Sequence, residues 1–275
     1  VKHVTAGSLQ MAVHAVGSGR PLVLLHGFPM DHRMWSGQEP LADAVRLIAP
    51  DLRGFGASHI DPGSRIESIQ QLADDVAALL EALHVTESVT VCGLSMGGYV
   101  AQHLAARHPR LVGSLILCDT RFDADTAQAR EARSRLSEHV ARHGAKAAAE
   151  AMLPNLLAAR HEPTPADRER RELVREMILA TPAETIRQAL AALAARPDMT
   201  ACMEAFDRPT LLVVGEEDRI TPPDLLERLA SRMPAASLLV VPGCGHLPPL
   251  ESPEVFNRGV LAFLKGPAAA AAGGC

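Results

Sequence analysis

At 275 residues with 47% hydrophobic side chains, the chain is long enough for one sizeable core carrying an insertion, and its net charge of −5 is mild. That charge is spread along the chain and aromatics are only 3%, which argues against nucleic acid or an acidic membrane surface as a partner. The longest apolar runs, such as Pro21 to Leu25 and Leu211 to Val214, are strand-sized and far short of a membrane span, and no charged-then-apolar leader opens the chain.

Taken in order, Leu9 to Val16 alternates as an early antiparallel strand, and Pro21 to Leu25 and Val45 to Ala49 are continuous apolar runs of the kind buried parallel strands show. Ile66 to Leu83 has helical spacing through Ile69, Leu72, Val76, Leu79, Leu80 and Leu83. A valine-rich strand, Ser88 to Gly93, runs directly into a helix from Ser95 to about Arg107, and Leu111 to Cys118 is the next strand. From about Arg121 to Phe206 the sequence reads as helices rich in Ala, Arg and Glu, punctuated by Pro154, Pro163, Pro165, Pro182 and Pro197. Strand–helix alternation then resumes with Pro209 to Gly215, a helix from about Pro222 to Arg232, Ser237 to Val241, and a last helix from about Pro253 to Lys265.

This order predicts an α/β fold: a mostly parallel central sheet with helices on both faces and an inserted helical cap. Residues 1–120 and 207–267 are expected to form the core, 121–206 the cap, and 268–275 a low-complexity tail. Cys92, Cys118, Cys202, Cys244 and Cys275 show neither metal-type nor redox-type spacing, so a reducing, cytoplasmic setting is expected.

Gly93-Leu94-Ser95-Met96-Gly97 fits the pattern G-x-S-x-G, and its context sharpens it: an apolar strand ends at Gly93 and a helix starts just after Ser95. So tight a turn strains the serine backbone, and it crowds the positions two before and two after until only glycine fits. The hydroxyl is lifted above the sheet to a helix N-terminus, whose dipole favours developing negative charge.

The chain resembles the α/β-hydrolases at His26-Gly27-Phe28-Pro29, at Pro50-Asp51-Leu52-Arg53-Gly54-Phe55-Gly56-Ala57-Ser58, at the serine turn, at Gly215-Glu216-Glu217-Asp218 and at Gly245-His246. A serine hydroxyl needs a neighbouring base. Of twelve histidines, His246 is the candidate, because its loop follows the last strand, where strand ends converge. The imidazole needs a carboxylate to fix its tautomer. Asp218 follows the strand Leu211 to Val214 and occupies the position from which the resemblance draws its acid; Asp119, Glu216 and Glu217 are the rivals.

Two donors must meet the forming oxyanion. One is expected to be the N–H of Met96, directly after the nucleophile; the resemblance implies the N–H of Phe28 as the second. His26 is expected to brace that loop, Arg53 to form a structural ion pair, and Trp35 to start a helix and pack. Met152, Met177, Met199 and Met203 are candidates to line an adaptable apolar pocket.

No metal is expected, since no cluster has ligand spacing, and no nucleotide cofactor, since neither G-x-G-x-x-G nor a P-loop lysine is present. The expected partner is a small-molecule ester or lactone; the oligomeric state is not legible. Ser95 sets the chain apart from the family branches with an aspartate nucleophile. The resemblance then implies a carboxylesterase for small to medium acyl groups, with surroundings at Phe28 and Met96 like those of esterases with perhydrolase activity. An alternative is an enol-lactonase of aromatic catabolism, which Gly93 to Pro109 and the following Leu-Cys-Asp-Thr resemble, although the first loop departs from it. A ligand receptor with little turnover is the third reading.

Overall fold

The computed structural model describes residues 1–60 and 63–266, so the stretch 268–275 read as a tail lies outside the described residues. Eight strands form one sheet: β1 (Lys2–Ala6), β2 (Leu9–Val16), β3 (Pro21–Leu25), β4 (Arg46–Pro50), β5 (Val89–Leu94), β6 (Val112–Cys118), β7 (Thr210–Gly215) and β8 (Ala236–Val241). Their order is β1-β2-β4-β3-β5-β6-β7-β8. β1 and β2 run antiparallel, β2 is antiparallel to β4, and every other pairing is parallel. Every residue of β3, β5 and β7 is buried. Because side chains alternate across a strand, that pattern requires both sheet faces to be covered.

Two helical groups supply the cover. The 3-10 segment His32–Asp43 packs with α9 (Pro248–Glu251) and α10 (Pro253–Lys265), while α1 (Ile69–Ala82) packs on α2 (Met96–Arg107). Helix α8 (Pro223–Ala230) covers β7 and β8. Trp35 sits in the 3-10 segment and packs against Phe256 of α10, their ring centroids 6.2 Å apart, as the sequence suggested.

Helix α1 starts later than its apolar spacing predicts. Ser68 caps it by accepting the N–H of Gln71, and Ile66 lies upstream, buried, with its own N–H bound to the side chain of Gln188. An apolar residue three positions before a helix keeps the helical period while belonging to the segment ahead of it. Only the last residue of β1, Ala6, is buried, so this strand shows no clear alternation.

Between β6 and β7 the described chain forms helices and no strand: α3 (Ala127–His143), α4 (Ala145–Leu156), α5 (Pro165–Ala180), α6 (Ala183–Ala194) and α7 (Thr200–Glu204). Capping is explicit at α3, where Thr126 accepts the N–H of Ala129, and at α5, where Thr164 and Asp167 form a reciprocal capping box. Thr181 ties this block to the loop after β3 through the carbonyl of Pro29, at 3.0 Å. No described helix is long and apolar enough to cross a membrane.

Candidate active site

Parallel strands deliver their carboxyl ends to one edge, and the register pairs Gly93 with Leu117, Cys118 with Val213 and Gly215 with Val241. The loops after β3, β5, β6, β7 and β8 therefore emerge together, where an open α/β sheet presents its ligand crevice.

Ser95 joins β5 to α2 with φ 53° and ψ −110°, in the left-handed half of backbone space that is costly for a residue with a β-carbon. Its N–H donates to the carbonyl of Cys118 at 2.9 Å, and its own carbonyl accepts the hydroxyl of Thr120 at 3.0 Å. The flanking glycines are required: a β-carbon on Gly93 would lie 2.2 Å from the Gly97 carbonyl oxygen, and one on Gly97 2.1 Å from that of Leu25.

His246 follows β8 and Asp218 follows β7. The imidazole Nδ1–H donates to Asp218 Oδ2 at 2.8 Å, leaving Nε2 for the opposite side. Asp218 is held by further donors: its Oδ1 accepts the N–H of Ile220 at 2.8 Å, and its Oδ2 the hydroxyl of Thr221. Burial pushes the Asp218 carboxyl up, but the charge of His246 and the hydrogen bonds from His246, Thr221 and Ile220 outweigh it, so the group stays below the usual carboxylate range.

A cavity of about 170 Å³ is lined by Ser95, His246, Phe28, Met96 and Thr221, together with Tyr99, Leu156, Leu193 and the charged Arg121, Asp125 and Arg133. Of the four methionines proposed for an adaptable pocket, Met152 alone lines this cavity; Met177, Met199 and Met203 are buried in the apolar core. Helical spacing marks an apolar face without saying what that face meets.

His26 is fully buried and braces the loop that carries Phe28. Its Nε2 accepts the N–H of Leu52 at 2.9 Å, which puts the ring proton on Nδ1, bonded to the Gly27 carbonyl at 3.0 Å. Burial pushes its pKa down and keeps it neutral. Arg53 forms the expected ion pair, with Nε 2.7 Å from Asp75 Oδ2.

The rival acids divide. Glu216 is exposed and accepts the N–H of Gly243, and Glu217 is exposed and pairs with Arg160 at 3.5 Å. Asp119 does lie beside the pair: one oxygen from each aspartate and a ring nitrogen of His246 come within 4.8 Å of one another. Among the described residues a second cluster with such spacing, Asp31, His32 and Asp51, has its carboxylates engaged, Asp31 by Arg33 and Asp51 by His32 and the N–H of Ala57.

Thr221 and Glu251 escaped the sequence reading. Glu251 accepts the N–H of Gly245 and of Leu247, one on each side of His246, and also that of Ala158 beyond α4. The N–H of His246 itself donates to the carbonyl of Leu156 at 3.1 Å. A threonine three residues after the acid was the only available signal for Thr221; nothing local marked Glu251.

Residues 22–258 match the model of the alpha/beta hydrolase family, and the chain belongs to that family. Among solved structures it is similar to a thermophilic esterase from Thermogutta terrifontis, with 39% identity, a TM-score of 0.89, and coverage of 96% of this chain and 97% of that one. An enol-lactonase from Burkholderia xenovorans, at 24% identity and a TM-score of 0.84 over 96% of this chain and 100% of that one, shares the fold. A pimeloyl-[acyl-carrier protein] methyl ester esterase from Chromobacterium violaceum is 32% identical over 261 residues, covering 94% of this chain and 99% of the relative.

Proposed function

We propose that the chain hydrolyses carboxylic esters of small to medium acyl groups through an acyl-enzyme, with Ser95 as nucleophile, His246 as base and Asp218 as orienting acid. The observation that carries this reading is the 2.8 Å bond from His246 Nδ1 to Asp218 in a cavity that Ser95 also lines. Ser95 Oγ attacks the ester carbonyl carbon while its proton passes to His246 Nε2. The carbonyl oxygen becomes an alkoxide that the N–H groups of Phe28 and Met96 receive. The intermediate collapses with loss of the alkoxy group, which takes the proton from His246. Water then repeats the sequence on the acyl-serine, releasing the carboxylic acid and restoring the serine.

The cavity of about 170 Å³ is small, which suits a short acyl chain. The helical block 121–206 is the segment proposed to select substrate, since Tyr99 and Phe28 share that cavity with Leu156 and Leu193 of α4 and α6. The free thiols of Cys92 and Cys118, whose sulfurs are 3.8 Å apart, suit a cytoplasmic setting.

S95A is the test. On p-nitrophenyl acetate or butyrate it lowers kcat by about 10⁴-fold or more, with H246N comparable; an S95A protein that keeps wild-type turnover removes the mechanism. Lactones are cyclic esters open to the same attack, and comparing kcat/KM on enol-lactones with that on the open esters decides between the two substrate classes.

A further inference from the structure

Asp119 follows β6 with φ 45°, a conformation that costs a residue bearing a β-carbon. It is fully buried, and its Oδ1 accepts the N–H of Gly215 at 2.9 Å, so it holds the end of the strand that leads to Asp218. Its Oδ2 is buried without any donor facing it. Around it stand Asp218 after β7, His246 after β8, and Glu251 on α9, whose charge adds to that of Asp218; the Cys118 thiol beside it is kept neutral by burial. Among the described residues no lysine or arginine pairs with it.

Two carboxylates this close, with no cation between them, do not both stay ionised. Asp218 already has three donors pointed at it, from His246, Thr221 and Ile220. Asp119 has one, so the shared proton belongs there. A proton on Oδ2 also turns an orphaned acceptor into a donor, and the neighbouring acceptor is Asp218, one of whose carboxylate oxygens lies within 4.8 Å of one of Asp119's.

We propose that Asp119 is a positioning residue held as the neutral acid, whose Oδ2–H donates to Asp218 so that the His246–Asp218 pair carries one negative charge and not two. Asp119 is thus neither a spare catalytic acid nor a structural leftover. It fixes Asp218 and keeps a second anion from over-stabilising the imidazolium, which must give its proton back to the leaving group. Burial and the neighbouring Asp218 both push the Asp119 carboxyl well above the ordinary carboxylate range, in agreement with the geometry.

The inference rests on Ser95, His246 and Asp218 working together, and it is tested by a signal that does not depend on turnover. Infrared difference spectra of the wild type against D119N at neutral pH should show the carbonyl stretch of a buried protonated carboxyl, lost in the variant. D119N supplies a neutral donor of the same shape. Its kcat/KM should stay within about threefold of wild type, and the acid limb of its pH profile should not move, whereas D119A, with no donor, should lose about tenfold or more in kcat. If Asp119 were ionised, D119N would remove a negative charge beside His246 and draw the acid limb down by about one pH unit. That shift, or a wild-type spectrum with no protonated carboxyl at neutral pH, overturns the proposal. If D119N does not fold, D119A takes its place in the subtraction, and E251Q serves to subtract any contribution from Glu251. Failure of S95A to abolish hydrolysis would instead sink the triad and leave the infrared result standing.

Discussion

The carboxylate of Glu251 straddles His246: its Oε1 accepts the N–H groups of Gly245 and Leu247, at 2.9 and 3.2 Å. Its Oε2 accepts the N–H of Ala158 at 2.8 Å, 93 residues away in the chain. One side chain therefore fixes the loop of the histidine to the end of α4. E251A strands three backbone donors in a largely closed environment and should cost about 2–4 kcal/mol in urea unfolding, together with a drop in kcat. E251Q has a single acceptor oxygen and should fall between. Equal stability of E251A and wild type would contradict this account.

Gly215 offers a cleaner separation of activity from folding. A β-carbon there would lie 1.9 Å from the carbonyl oxygen of Gly245, the residue before His246. The clash is between backbone and backbone, so it is relieved only by moving the loops that carry Asp218 and His246 apart. G215A should lose activity by about two orders of magnitude, since misplacement of a catalytic group by about 1 Å has that effect. Circular dichroism alongside the assay checks that the sheet survives.

Arg196 and Asp125 form an ion pair with both side chains 2% exposed. Arg196 Nη1 is 2.6 Å from Asp125 Oδ1, its Nη2 donates to the carbonyl of Asp123 at 3.1 Å, and its guanidinium stacks 4.2 Å above the Tyr99 ring. R196A leaves Asp125 with Arg133 alone and should destabilise by about 3–5 kcal/mol. R196K should recover little of that, because an ammonium neither stacks nor bonds in two directions in one plane. Denaturant midpoints for the three proteins decide it.

Stability should fall on mild acidification, with His103 as an identifiable contributor. The ring is 4% exposed on α2, and burial, assisted by the positive charge of Arg107, pushes its pKa down from 6.5 to about 4. Between those values the unfolded chain binds a proton that the native state refuses, so stability declines as pH drops through 6.5 towards 4, by up to about 3 kcal/mol from this group. H103Q should flatten that part of the profile, as read from urea midpoints measured across the range.

The central strands and the serine turn were legible because each is written in contiguous residues. Leu22 to Leu25 cannot be partly exposed and apolar at every position, and Gly93 and Gly97 flank Ser95 at the spacing the turn demands. The convergence of His246 and Asp218 was legible one level up, from their places after strands whose ends must meet. Asp119 met that same criterion, and only the donors around each carboxylate, brought together from three loops, distinguish the two in the proposed mechanism. Glu251 was invisible for a related reason. An acid in the first turn of a short helix looks like ordinary dipole compensation, and its partners are fixed by packing. The methionines show the converse: residue type announced a pocket, but burial assigned three of the four to the core.

The bond from the His246 N–H to the Leu156 carbonyl bears on how such a protein can diversify. Leu156 both lines the cavity and holds the backbone of His246. A chimera that exchanges the whole helical block thus exchanges part of the histidine's scaffold with it. A graft that replaces α3 and α6 while retaining Leu156 to Ala158 changes the surface proposed to select substrate and leaves the backbone of His246 moored where it was.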